Sequence, residues 1–106
     1  MGVFQAVHID DVEAEKTGRG FTKFLVRSQG QGIPTIQIRN WGPDTNIPIH
    51  KHPFNEMFYV LEGEVEMGGT AYGPGSCIFI EKGTEYGPTL APKGCKVLRY
   101  AEGRSA

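Results

Sequence analysis

Residues that turn or break a chain run through this sequence from end to end. It carries 15 Gly and 7 Pro in 106 residues, about a fifth of the whole, well above ordinary usage. Glycine costs any helix backbone entropy, and proline removes a donor and clashes with the preceding turn. With 39% hydrophobic residues on top of that punctuation, the chain is expected to build short strands joined by turns, not a helical bundle. Its length suits one domain, 1–106, and leaves no room for a second core. The expectation is a small, soluble, all-β protein.

Strand-like runs appear between these breaks. Residues 21–27 follow Gly18 and Gly20 and end at Ser28-Gln29-Gly30. Residues 35–39 alternate Ile36 and Ile38 with polar neighbours, then break at Trp41-Gly42-Pro43-Asp44. Residues 56–62 stop at Gly63. Residues 64–67 and 70–72 flank Gly68-Gly69, which suits a two-residue hairpin with positive φ at both central positions. Gly73-Pro74-Gly75 separates that hairpin from 76–80, and 95–100 reads as the last strand. Residues 103–106 are expected to be a frayed tail. One stretch has helical character: Asp10 with Glu13 forms a capping box ahead of Val12, Ala14 and Lys16, enough for one surface turn. An N-terminal strand or turn segment, 1–20, thus precedes a core over 42–100. About eight short strands describe a sandwich or a closed barrel, and periodicity does not choose between them.

Charge and hydropathy exclude several partners. Eleven Lys plus Arg against 12 Asp plus Glu give a formal charge of −1, so no basic surface is available for nucleic acid. No apolar run approaches the length of a membrane span. The N-terminus lacks a basic region followed by an apolar stretch, which points to a cytoplasmic protein. In that reducing compartment Cys77 and Cys95 are expected as two free thiols.

The chemistry gathers in one place. His50-Lys51-His52 is followed by Pro53-Phe54-Asn55-Glu56, and six residues later by Gly63. In extended backbone, positions two apart point to one face, so His50 and His52 can present both imidazoles to one point. Glu56 shares that parity after a bend at Pro53. Two imidazoles and a carboxylate with open positions make a divalent-metal site of the facial-triad kind. The competing reading is a vacant pocket. His8 lies far away and is expected as a surface or strand residue.

The pattern His50-x-His52-x3-Glu56-x6-Gly63 resembles the first motif of the cupin superfamily. That resemblance implies an antiparallel jelly-roll β-barrel, the double-stranded β-helix of RmlC-like proteins. The family's Gly six residues before the first His is replaced by Asp44, with Gly42 two earlier. Of the second motif, Gly75 and Gly83 remain, Glu81 stands for the Pro, and Tyr86 stands for the His that is normally a fourth ligand. Three roles are open to Tyr86: a phenolate ligand, a proton donor or acceptor for bound substrate, or a pocket wall. Glu85 should point to the opposite side of its strand.

By parity Phe58 and Val60 follow Glu56 inward, and Ile78 and Ile80, or Cys77 and Phe79, supply the opposite wall. Ile36, Ile38 and Trp41 are further candidates for apolar lining. Arg27, Gln37, Arg39 and Asn46 are candidate polar anchors that nothing in the sequence distinguishes. The functional expectation is a metal-binding single-domain cupin acting on a small organic molecule, as an oxygenase, isomerase or lyase. The metal would be Fe, Mn, Ni, Zn or Cu, held by His50, His52 and Glu56 with catalytic Tyr86 beside it. The alternative is a non-catalytic small-molecule-binding or sensor cupin with a vacant metal site. The resemblance also implies a homodimer made by N-terminal strands, with 21–26 as an edge strand whose Phe21, Phe24, Leu25 and Val26 become buried.

Overall fold

The computed structural model describes residues 2–30 and 32–103. The frayed end expected over 103–106 lies, apart from Gly103, outside the described residues. In chain order the strands are β1 (Glu15–Thr17), β2 (Gly20–Val26), β3 (Thr35–Trp41), β4 (Thr45–Ile47) and β5 (Glu56–Gly63). They continue as β6 (Val65–Met67), β7 (Thr70–Tyr72), β8 (Cys77–Ile80), β9 (Thr89–Ala91) and β10 (Cys95–Ala101). Antiparallel pairing gives one sheet in the order β1-β2-β3-β10-β5-β8 and a second in the order β4-β9-β6-β7. The architecture is the antiparallel jelly roll that the sequence motif implied.

Alternation along the strands decides what lies between the sheets. In β5, Glu56, Phe58 and Val60 are buried while Tyr59 and Leu61 face outward; in β10, Cys95, Val97, Arg99 and Ala101 are buried. Trp41, Phe58, Val60, Val65, Met67, Ile80, Ala91, Cys95 and Val97 form one cluster, with Ile47, Tyr72, Ile78 and Tyr86 packed against it. Each large apolar side chain removed from water contributes about 1.5–3 kcal/mol, so this cluster drives the two sheets together. The inward positions of β8 are Ile78 and Ile80, and Cys77 and Phe79 face solvent.

Two glycine sites are required by geometry. Gly68 and Gly69 both have positive φ, 61° and 89°, and turn the β6–β7 hairpin as expected. Gly20 and Gly42 lie where two backbones nearly touch. A Cβ on Gly20 would overlap the Asn40 carbonyl oxygen, and one on Gly42 would overlap the Arg19 carbonyl oxygen.

Several expectations are corrected. The helical turn is a short 3₁₀ turn over Ile9–Asp11, and its cap is His8, whose Nδ1 accepts from the Asp10 N–H at 3.1 Å. The Asp10–Glu13 box does not form, and Glu15 and Lys16 pair with Thr22 and Phe21 in β1, where sheet hydrogen bonds outweigh a weak helical preference. As a result β2 is an internal strand, and the edges of the large sheet are β1 and β8. Trp41 is the buried end of β3 and not a turn residue. β4 and β9, three residues each, were too short to show alternation.

β3 also inverts the parity expected for Ile36 and Ile38. Its inward positions are Gln37, Arg39 and Trp41. Ile36 lines an outer groove with Val7, Leu25 and Val26, and Ile38, although buried at 6% exposure, packs apart from the main core cluster. β3 thus turns two polar side chains, Gln37 and Arg39, inward beside Trp41, where an ordinary barrel stave would turn apolar ones.

Candidate functional site

The segment between β4 and β5 bends at Ile49, Pro53 and Phe54 and belongs to neither sheet, with His50 alone bridging to Tyr86. Its backbone is held by Tyr86: His50 N–H donates to the Tyr86 carbonyl at 3.1 Å, and Tyr86 N–H donates to the His50 carbonyl at 3.0 Å. Gly83 N–H donates to the His52 carbonyl at 2.8 Å. These bonds bring three rings together. His50 meets His52 edge-on with centroids 4.9 Å apart and lies 4.6 Å from the Tyr86 ring, while His52 stacks on Phe54 at 4.9 Å.

The His50 ring is oriented from behind. Its Nδ1 lies 2.9 Å from the Pro48 carbonyl oxygen. A carbonyl only accepts, so Nδ1 donates and Nε2 of the neutral ring keeps its lone pair, the arrangement typical of a ligating imidazole. Burial pulls the His52 pKa below its ordinary value, against the opposing pull of the Glu56 carboxylate. The neutral ring is thereby favoured.

Glu56 opens β5 with 1% exposure and meets a partner that sequence reasoning missed. Arg99, equally buried on β10, donates to Glu56 Oε2 from Nε at 2.9 Å and from a terminal nitrogen at 2.7 Å. Its other terminal nitrogen donates to Gln37 Oε1 at 3.2 Å. The signal for Arg99 was present: it is the one charged residue at an inward position of β10, between Val97 and Ala101. Glu56 Oε1 is buried and has no hydrogen-bond partner among the described residues, and His52 Nε2 lies 3.8 Å from it.

Among the described residues no three His, Cys, Asp or Glu side chains converge as a metal-holding group. Glu56 leans on Arg99, and only its second oxygen turns toward His52. The donor types nevertheless fit a divalent transition metal. Bonds of about 2.1 Å place two ligand atoms of one ion at most ~4.2 Å apart, and the His52–Glu56 pair falls within that span. Tyr86 closes this corner. Burial first, then hydrogen bonding of its hydroxyl to the Glu56 carboxylate and that carboxylate's charge, push its phenol well above the ordinary tyrosine range, so without a cation it holds its proton.

The rings and guanidinium groups surround a cavity of about 170 Å³. Its polar lining is Arg39, His50, His52, Tyr86, Thr89 and Arg99, and its apolar lining is Trp41, Ile47 and Phe58. Among the four candidate anchors, Arg39 lines this cavity and Gln37 braces Arg99 beneath it. Arg27 pairs with Glu15 and lies over the Phe24 ring at 3.7 Å on the outside, and Asn46 is exposed. Glu85 is exposed too, as its parity required. His8 is at the surface, and Cys77 (exposed) and Cys95 (buried) are free thiols.

A family model described as the ChrR cupin-like domain matches residues 4–105. The chain is similar to an RmlC-like cupin from Shewanella frigidimarina, with TM-score 0.79 and 17% identity over 97% of this chain and 95% of that one. It is similar to the polyketide cyclase RemF from Streptomyces resistomycificus, with TM-score 0.76 and 22% identity over 98% and 83% of the two chains. Similarity also extends to a Rhodobacter sphaeroides structure of SigE with the anti-sigma ChrR, at TM-score 0.68 and 18% identity over 88% and 51%. A comparison with curated proteins finds no match.

Proposed function

The chain belongs to the ChrR cupin-like domain family of the cupin superfamily, and on that premise we propose that its barrel is a metal-dependent site for a small organic molecule. His50 Nε2, His52 Nε2 and Glu56 Oε1 would hold the ion. One observation carries this reading: a buried carboxylate oxygen 3.8 Å from a neighbouring imidazole nitrogen, with no partner at normal hydrogen-bond distance among the described residues, the Tyr86 hydroxyl being its nearest donor. Such an oxygen costs about 1–3 kcal/mol while unsatisfied, and a cation removes that cost. A bound divalent ion would supply Lewis-acid polarisation of a substrate oxygen, or a position for dioxygen.

The other roles belong to the chain itself. Pro48 and Tyr86 orient His50 through its ring and backbone. Arg99 fixes Glu56 so that one oxygen stays turned toward His52. Tyr86, protonated in its buried setting, can deliver a proton to a substrate atom in the cavity. As an assembly, a homodimer is proposed, made by the N-terminal segment, whose Phe4 is 95% exposed.

A second reading is supported by the Arg99–Glu56 pair. The guanidinium neutralises Glu56, the one carboxylate at the corner among the described residues, which weakens the site for a cation and favours a metal-free, ligand-binding cupin. Metal content of untagged protein, measured by mass spectrometry after dialysis, separates the two. The metal reading expects close to one equivalent, lost in the His50→Ala, His52→Ala double variant with the barrel still folded. Full metal content in that variant overturns it.

A further inference from the structure

Four buried side-chain polar atoms have no hydrogen-bond partner among the described residues: Arg39 Nε, Trp41 Nε1, Glu56 Oε1 and Thr89 Oγ1. Glu56 belongs to the metal corner. The other three can all donate, and all three residues line the same 170 Å³ cavity. Native proteins leave only a few buried polar groups unpaired per hundred residues, and each calls for an explanation. Here three of the four belong to residues that border one cavity, so a small shift of these side chains would bring their donors to an acceptor inside it.

Charge points the same way. Arg39 and Arg99 both line the cavity, and Glu56 is the ion-pair partner of Arg99. Among the described residues no carboxylate pairs with Arg39. The cavity therefore carries one surplus positive charge before any metal is added. Its source is the parity of β3, which turns Arg39 and Trp41 to the cavity and puts Ile36 and the buried Ile38 on the opposite face. We propose that the cavity binds a small organic anion, its carboxylate or phosphate head held by Arg39, Trp41 and Thr89.

This inference rests on the reading of the cavity as a ligand site, and it holds with or without a metal. Arginine is suited to the task because its planar donors match an oxyanion. Burial, and then the charge of Arg99, lower the Arg39 pKa; an oxyanion beside it would offset both. The cavity volume equals about six waters of liquid and falls below the range of drug-sized pockets. The ligand is accordingly a compact acid and not a polymer or a lipid.

Trp41 is the only tryptophan, so a single indole N–H resonance reports on one of the three donors. Chelator-treated protein is titrated with butyrate and benzoate, with phenyl phosphate, and with the neutral isosteres butyramide and benzamide. At least one anion should shift the indole signal saturably and bind tenfold or more tightly than the amides; the tighter anion class identifies the head group. Arg39→Gln should erase that preference, whereas the exterior control Arg27→Gln should keep it. Thr89→Val should weaken anion binding several-fold. Amides equal to the anions, a preference that survives in Arg39→Gln, or no saturable shift from any of these compounds up to ~10 mM overturns the proposal. Metal content measured on untreated samples of the same preparations tests the metal reading separately.

Discussion

Changing Glu56 to Gln would keep the side chain's shape and strip Arg99, which is only 1% exposed, of its counter-charge. Removing one member of a buried ion pair costs about 3–5 kcal/mol, so the urea midpoint of Glu56→Gln should fall far below the parent's. Replacing both partners together, as Glu56→Leu with Arg99→Met, should recover most of that loss, because no buried charge then lacks a partner. A Glu56→Gln variant as stable as the parent would mean that the pair contributes nothing to holding the barrel. The same arithmetic explains why Arg99 is easily missed in the sequence. An arginine in a terminal strand reads as surface until its parity with Val97 and Ala101 is followed inward.

Among the elements, the β2–β3 contact is the least tolerant. Gly20→Ala and Gly42→Ala each press a methyl group into a backbone carbonyl, where nothing flexible can give way. Each should cost roughly 2–4 kcal/mol, the range of overpacked or strained sites. Gly73→Ala, whose new methyl group meets open space, should stay within about 1 kcal/mol of the parent. Thermal melts of the three variants make the comparison, and near-equal values would remove the close approach from the account. Much of the barrel was legible in the sequence because its longer strands alternate and its turns carry glycine: β5, β8, β10 and the β6–β7 hairpin fall within a residue or two of expectation. The histidine–glutamate spacing also pointed to residues that the fold brings near one another, with His52 Nε2 3.8 Å from Glu56 Oε1. What escaped has physical causes. Three-residue strands have no period to detect, and β1 was masked by a local capping pattern. β3 misled because hydrophobicity alone sent Ile36 and Ile38 toward the cavity, when Gln37, Arg39 and Trp41 hold that face and Ile38, though buried, lies on the opposite one.

At the scale of the whole molecule, apolar surface remains on the N-terminal segment and along the outer face of the large sheet. Val3, Phe4 and Val7 are exposed at one place, and Tyr59, Phe79 and Tyr100 at the other. The homodimer made by the N-terminal segment predicts a sedimentation mass of twice the single chain at micromolar concentration. Phe4→Asp should return it to the single-chain mass, while Phe79→Asp should not; a parent already at single-chain mass ends the idea. The polar row of Gln37, Arg99 and Glu56 has a different consequence, one for the search that precedes the folded state. Arg99 lies 62 residues from Gln37 and 43 from Glu56, so the central staves must find one another over long stretches of chain. A slip of one residue would turn β10 inside out and is rejected by hydrophobicity. A slip of two keeps every face correct, and oil-like packing alone would hardly notice it. It would, however, carry the guanidinium past both its partners and strand a charge in the interior. The row thus works as a checksum on strand alignment, rejecting the one family of errors that the alternating pattern lets through.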